Sequence, residues 1–508
     1  MFPPSRKAIV VTLALLAVPG AGCRADSPGT PARTAPEPPD KPAAAPLPAR
    51  ITNAAARIIE AARADEVSYR RLQELCDRIG HRSAGTPSYD RAAAWSVEQL
   101  AAIGLANPRL ENVPINRWER GRESLTLLTP GGPRAIPMLG LGRSVGTPPE
   151  GITGEVVVVH DFDELERVKD TVKGKIVLYN FPMKEQSESF NGYGEAVAYR
   201  SGGASRAAAH GAIAALVRSV TTRSMRTPHT GMMTYQDGVP RIPAAAVSIE
   251  DAQMFQRLFD RGDRPTVRLF MEAKNLPDGA SPNVLAELPG REKPEEIVVI
   301  GGHLDSWDVG CGAHDDGAGV TMTIDAVRLL KELGLTPRRT VRVVLFTNEE
   351  RGVDGGRGYA ELHRAEATRH VAALETDSGG FRPKRFGVGG TDEAAATVQR
   401  YAPLFETLGP VEIRKGGGGA DISFLGKDGV PLLGLGTESG RYFDYHHSDA
   451  DVVEVVDPTD YRESLAAFTL MTYVLAEMDE TLPRTPPPPP PPPPPAPAPQ
   501  RPAPGAGK

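Results

Sequence analysis

Three cysteines in 508 residues leave room for one disulfide at most, and if Cys23 is modified only Cys76 and Cys311 remain to form it. A basic excess is missing too. The 58 Lys and Arg against 64 Asp and Glu give a formal charge of −6, so no basic stripe offers itself to nucleic acid. The N-terminal apolar run Ala8–Val18 is too short to span a bilayer. What is present is ordinary for a soluble globular protein: 40% hydrophobic residues, in a chain long enough for two or three domains.

The two ends are of a different character. Arg6 and Lys7, the apolar run that follows and Gly20-Ala21-Gly22-Cys23 read as an export signal over residues 1–23, with Cys23 in the place of a lipidated cysteine. The expected location is outside the cytoplasm: held at a bacterial cell envelope by a lipid anchor at Cys23, or released to the periplasm or medium. Residues 24–49 are rich in Pro and Ala and poor in large apolar side chains, which suits a spacer. At the other end, residues 483–508 read as a proline-rich disordered tail. Its ten consecutive prolines, Pro486–Pro495, favour polyproline II.

Between these ends, polar residues follow apolar runs in a repeated way. His303-Leu304-Asp305 follows Ile297–Ile300, and Asn348-Glu349-Glu350 follows Val341–Phe346. Asp377 comes just after Val371–Leu374, Asp315-Asp316-Gly317 lies ten positions beyond Asp305, and His446-His447 comes late. Short Ile/Val runs bounded by turn residues read as buried parallel strands. Ligands of open α/β sheets gather beyond the carboxyl ends of such strands.

Electrostatics then asks for a cation. Asp305, Asp315, Asp316, Glu349, Glu350 and Asp377 cannot all be ionised in one pocket without compensation. A divalent metal provides it, and mixed imidazole and carboxylate donors suit zinc. Five candidate ligands, His303, Asp315, Glu350, Asp377 and His447, match two Zn2+ that share one bridging carboxylate. Glu349 is left over beside a ligand, where a general base belongs.

As a set, GGHLDSWDVGCGAHDDGAG (301–319), RTVRVVLFTNEE (339–350), ETDSGG (375–380), GGGGADISFLGKDGVPLLGLGTESG (416–440) and YFDYHHSDAD (442–451) resemble the M28 family of zinc peptidases, closest to its carboxypeptidase Q branch. The resemblance implies roles. His303 and Asp377 hold one zinc, Glu350 and His447 the other, and Asp315 bridges them. Glu349 is the base, Asp305 orients His303, and His446 stabilises the oxyanion. Asp421 lies near the substrate pocket, and a cis peptide follows Asp315. His447 is preferred over His446 as ligand because Asp451 lies four residues beyond it.

The expected fold is α/β: a mixed, mostly parallel sheet with helices on both faces, built from residues 50–129 and 273–482. Residues 50–115 read as mainly helical. Residues 130–272 have another rhythm, with short strands at Val156–Val159, Lys175–Leu178, Ile213–Val217 and Ala244–Ile249. They resemble a β-rich protease-associated domain inserted into the peptidase. The segment Ser224–Met233, with Arg226, His229 and paired methionines, reads as a loop of that insert, either plain surface or a place of substrate contact.

The expected activity is hydrolysis of dipeptides or of N-terminal residues of short peptides, with a homodimer left open. Two rivals are a glutaminyl cyclase-like acyltransferase with one zinc and an inactive binding protein of the same fold. The full ligand set argues against both.

Overall fold

A computed structural model describes residues 46–184, 191–438 and 440–486. The export signal, Cys23, most of the Pro/Ala-rich spacer and the polyproline run beyond Pro486 lie outside these residues. Among the described residues no helix is long and apolar enough to cross a membrane.

The core is an eight-stranded mixed sheet. Its order is Ala106–Glu119, Lys274–Leu288, Arg339–Phe346, Lys293–His303, His370–Thr376, Leu432–Thr437, Pro383–Gly389, Glu412–Lys415. The four strands from Arg339–Phe346 to Leu432–Thr437 are mutually parallel. Their side chains alternate between two cores. Val298, Ile300, Val343, Leu345 and Leu374 face one core, with the helices Ala49–Arg63, Ala318–Glu332 and Pro458–Glu477. Ile297, Val299, Val344, Phe346 and Ala373 face the other, against Asp354–Leu362 and Ser423–Gly426. Burial on both faces is why these strands read as unbroken apolar runs. Each large aliphatic side chain so buried contributes about 1.5–3 kcal/mol.

One expectation fails in this domain. Residues 50–115 are helical only to Ile103, the last helix being Pro87–Ile103. Thr86 caps that helix by accepting from the Tyr89 N–H, Pro87 opens it and left-handed Gly104 ends it. Ala106–Glu119 then runs as an edge strand antiparallel to Lys274–Leu288. Only Val113, Ile115 and Trp118 of it are buried, and Pro108 and Pro114 are tolerated because an edge strand need not donate on both sides.

The insert is a second eight-stranded sheet. Ile152–Val159, Ile176–Tyr179, Ala214–Arg218 and Ala244–Val247 are parallel neighbours at its centre. Glu123–Thr129, expected in the peptidase domain, pairs instead with Gly132–Ile136 and Thr266–Met271, so this sheet begins at Glu123. At the far end, Arg484 donates to the carbonyls of His370, Ala367 and Asp428, and the Thr485 N–H donates to Gly429. The chain therefore stays on the fold through Thr485, past the expected boundary at 483.

Candidate metal centre

Each candidate residue is placed by a strand end or a sharp turn. His303 is the last residue of its strand. Thr347–Glu350 leave Phe346 in a turn that holds Asn348 at φ 56°, stabilised by the Asn348 Nδ2 bond to Asp354. Asp377 follows Thr376. Asp315 sits in the bend between Gly312 and the helix that starts at Ala318, and its peptide bond to Asp316 is cis, as the resemblance implies. His446 and His447 end the short helix Tyr442–Tyr445.

These elements bring the residues together. Nε2 of His303 lies 3.1 Å from Asp315 Oδ1 and 3.6 Å from Asp377 Oδ1. Nε2 of His447 lies 3.3 Å from Asp315 Oδ2 and 2.9 Å from Glu350 Oε2. The two oxygens of Asp315 thus face two different imidazoles, each with a second carboxylate beside it. Both imidazoles are oriented by backbone. His303 Nδ1 donates to the Asp305 carbonyl at 2.9 Å and His447 Nδ1 to the Thr230 carbonyl at 3.4 Å, which leaves Nε2 as the free donor atom.

Asp315 Oδ2, Glu350 Oε1 and Asp377 Oδ1 are buried without a hydrogen-bond partner among the described residues. Orphaned buried oxygens of this kind are costly, and imidazole nitrogens beside them make a donor set that fits zinc. Donor atoms of Asp315, His446 and His447 lie within 4.8 Å of one another, as do those of His303, Asp316 and Asp377. Asp316 is otherwise engaged, because its carboxylate accepts the N–H groups of His303 and Gly319. His446 Nε2 is farther out, 3.7 Å from Asp315 Oδ2, with its ring stacked on His447 at 3.5 Å.

The electrostatics suit a site that holds a cation. Burial, with mutual repulsion added, pushes the carboxyls of Asp315, Asp316 and Glu350 up, and that of Glu349 up to about 8. Burial would lower His303, but Asp315 and Asp377 override it and drive the imidazole well up. Burial holds His446 and His447 far below the usual imidazole range, hence neutral.

Supporting residues differ in part from expectation. The Asp305 carboxylate is 3.8 Å from His303 Nδ1 and instead accepts the Glu349 N–H at 3.0 Å, so Asp305 orients His303 through its carbonyl. Asp451 has a task beyond marking His447. Its two oxygens accept the His314 and Asp315 N–H groups and fix the bend that carries Asp315. Asp421 is buried away from the cavity, bound to the Gly356 N–H. Cys76 and Cys311 are free thiols, and Cys311 joins neither ligand cluster.

A cavity of about 390 Å³ opens over Asp315, Glu349, Glu350, Asp377, His446 and His447. Its opposite wall is Tyr193, Arg200, Ser201 and Met232, all from the insert. The loop Ser224–Met233 lies against the site: His229 Nδ1 donates to the His446 carbonyl at 2.7 Å, and the Thr230 N–H to that of His447 at 2.9 Å. His229, Thr230 and Met232 fall in the loop for which the sequence offered both surface and substrate contact, whereas Tyr193, Arg200 and Ser201 carry no motif and nothing in the sequence pointed to them. Trp307 ties the halves together, extending from the loop after His303 into the insert's core, where Gly142 alone leaves room for its ring.

Comparison with known proteins gives concordant results. The model of peptidase family M28 matches residues 283–471 and that of the PA domain residues 152–255. Carboxypeptidase Q of Bos taurus is 43% identical over 423 residues, 83% of this chain and 88% of the relative. That of Homo sapiens is 42% identical over the same lengths, 83% and 88%. A crystal structure of a peptidase M28 precursor from Shewanella amazonensis matches with TM-score 0.83 at 33% identity, over 86% of this chain and 99% of that one. A zinc aminopeptidase from Bacillus subtilis shares the fold, with TM-score 0.60 and 19% identity over 82% and 97% of the two chains. The chain belongs to peptidase family M28, the zinc peptidases that its motifs resemble, and carries a PA domain within the peptidase fold.

Proposed function

We propose that this peptidase is an exported exopeptidase that binds two Zn2+ and hydrolyses dipeptides or short peptides. The observation that carries this reading is the Asp315 carboxylate, whose two oxygens each face one imidazole. His303 and Asp377 would hold one ion, His447 and Glu350 the other, with Asp315 between them. When bound, the zinc ions polarise the scissile carbonyl and make water more acidic.

The rest falls to the chain. Glu349 lines the cavity beside these residues and takes the proton of the attacking water. Its carboxyl can hold this proton and then pass it to the leaving amine. Asp305 keeps Glu349 in place through its backbone N–H. His446 stands at the cavity wall, where its Nε2–H can donate to the developing oxyanion.

The walls limit the substrate. A cavity of about 390 Å³, closed on one side by the insert, suits a peptide of a few residues. The relatives' name, carboxypeptidase Q, puts the bond at a carboxyl end, and in a dipeptide the amino-terminal and carboxyl-terminal readings coincide.

The test is zinc content together with turnover of free dipeptides, N-blocked dipeptides and aminoacyl-anilides, with and without chelator. Two zinc ions per chain and chelator-sensitive dipeptide hydrolysis are expected. One zinc per chain, with cyclisation of N-terminal glutamine and no hydrolysis, would overturn the reading in favour of an acyltransferase.

A further inference from the structure

His447 stands at φ 61°, in the left-handed region that residues with a side chain seldom occupy. A backbone of this kind persists where its surroundings over-determine it. The helix that leads into it, Tyr442–Tyr445, has four residues and is too short to do so alone. The insert supplies the rest. His229 Nδ1 donates to the His446 carbonyl at 2.7 Å, and the Thr230 N–H to the His447 carbonyl at 2.9 Å. In return His447 Nδ1 donates to the Thr230 carbonyl at 3.4 Å. Two consecutive insert residues thus hold both carbonyls of the turn and the ring of a proposed ligand.

The clamp is itself fixed. His229 is 1% exposed and Thr230 fully buried. The His229 N–H donates to Ser219 Oγ at 2.9 Å, just past the strand Ala214–Arg218. Thr230 Oγ1 donates at 2.7 Å to the carbonyl of Gly140, the last residue of the strand Met138–Gly140. The clamp therefore stands on two strands of the insert's sheet. His229 Nε2 has no partner among the described residues, and the ring does not line the cavity. Its reach into the site runs through the His446 carbonyl.

The other half of the metal centre is supported differently. His303 Nδ1 donates to the Asp305 carbonyl at 2.9 Å, and its N–H to the Asp316 carboxylate at 3.1 Å. Both partners belong to the peptidase domain. Partners of this kind set the orientation and tautomer of metal-bound imidazoles, and their loss typically costs about 10–100-fold in affinity or activity. His446 rides on the same turn as His447, its ring stacked on that of His447 at 3.5 Å. A turn that relaxes would carry the proposed oxyanion donor with it.

We propose that His229 and Thr230 are positioning residues for the His447–Glu350 half of the metal centre: they hold the His446–His447 turn left-handed, and so make the ion of that half and the aim of His446 depend on the docked insert. This goes beyond the exopeptidase reading and rests on its two-zinc part. It makes the PA insert a supporting part of the metal centre as well as a wall of the cavity.

The test measures zinc affinity of metal-stripped protein by competition with a chelating dye, one half of the centre at a time. His303→Ala leaves the His447–Glu350 half, and Glu350→Ala leaves the His303–Asp377 half. Adding His229→Leu, which removes the donor, should weaken zinc about 10–100-fold in the first and leave the second unchanged. His229→Asn, whose Nδ2–H can take the place of the Nδ1–H, should restore most of the loss. Tyr235→Phe, which removes a bond to the Ile242 carbonyl within the insert and away from the clamp, should alter neither half. At saturating zinc, His229→Leu should lower kcat for alanyl-leucine with KM little changed.

A second readout needs neither metal nor turnover. The Thr230 amide, which donates to the His447 carbonyl, should exchange its hydrogen about fivefold faster or more in metal-stripped His229→Leu. It should not do so in His229→Asn or Tyr235→Phe. Should His229→Leu not fold, His229→Gln, which carries its donor to the Nε2 position, gives the same contrast with His229→Asn. Equal weakening of zinc in the two halves, the same weakening in Tyr235→Phe, or unchanged exchange at Thr230 overturns the proposal. If the wild type binds a single zinc that survives Glu350→Ala, the two-zinc reading fails and the metal part of the proposal with it. Faster Thr230 exchange and a lower kcat in His229→Leu would then keep the clamp on His446.

Discussion

The carboxylate of Asp305 accepts the backbone N–H of Glu349 at 3.0 Å. One strand's exit loop thereby fixes the turn of the next, and the proposed base is held by its backbone while its carboxyl stays free. The same residue's carbonyl orients His303, so Asp305 couples the base to one half of the metal centre.

Glu349→Gln keeps the shape of the side chain and removes its proton affinity. Zinc content should be unchanged, because Glu349 is not one of the five proposed ligands. Turnover of a free dipeptide should fall about 10²–10⁴-fold. Wild-type turnover in the zinc-loaded variant would reassign the base.

His447→Ala should lose zinc and activity together, since His447 Nε2 faces both Asp315 and Glu350. His446→Ala should keep its zinc and lose mainly kcat. Elemental analysis of the two variants decides between them, and zinc loss confined to the His446 variant would exchange their roles.

N-acetylation of a dipeptide removes the ammonium expected among the acidic groups of the cavity wall. A charge-assisted contact of this kind is worth about 1.5–3 kcal/mol, and about 1.36 kcal/mol is tenfold in rate. Acetylated dipeptides should therefore show kcat/KM lower by about tenfold or more. Equal values would point to a carboxypeptidase that ignores the amino end.

His370 tests the fold away from the metals. Burial pushes its imidazole down to about 4, in a pocket where it also bonds to Tyr359. The unfolded chain binds a proton near pH 6.5 and the folded one only near 4, so this residue favours the fold fully above pH 6.5. Its contribution is lost as pH falls towards 4, at up to about 1.4 kcal/mol per pH unit. The stability of the wild type relative to His370→Gln, from denaturant unfolding, should decline over that window. A difference independent of pH would mean that His370 titrates normally in the fold.

Arg484→Ala removes three bonds that hold the end of the described chain to the carbonyls of His370, Ala367 and Asp428. A stability loss of about 1–3 kcal/mol is expected from denaturant unfolding, with dipeptide turnover little changed because Arg484 holds His370, at the opposite end of the strand His370–Thr376 from Asp377. An unchanged unfolding midpoint would show that residues after Leu482 add nothing to the fold.

The sequence by itself determined the central strands and the identity of the acidic and imidazole residues at their ends. Strands buried on both faces must be written as apolar runs, and the polar residues that end them stand out against those runs. Val341–Phe346 followed by Glu349-Glu350 is legible for that reason. Ala106–Glu119 was not, because an edge strand half exposed to solvent carries little periodicity and its helical neighbours dominate the reading. Tertiary structure alone decided how the site is completed. Arg200, Tyr193 and Met232 are separated from His447 by more than two hundred residues of chain and belong to another domain. They meet the metal centre only because Trp307, His229 and Thr230 dock the insert against it. Contacts of that kind are set by packing between domains and leave no local pattern for a sequence to display.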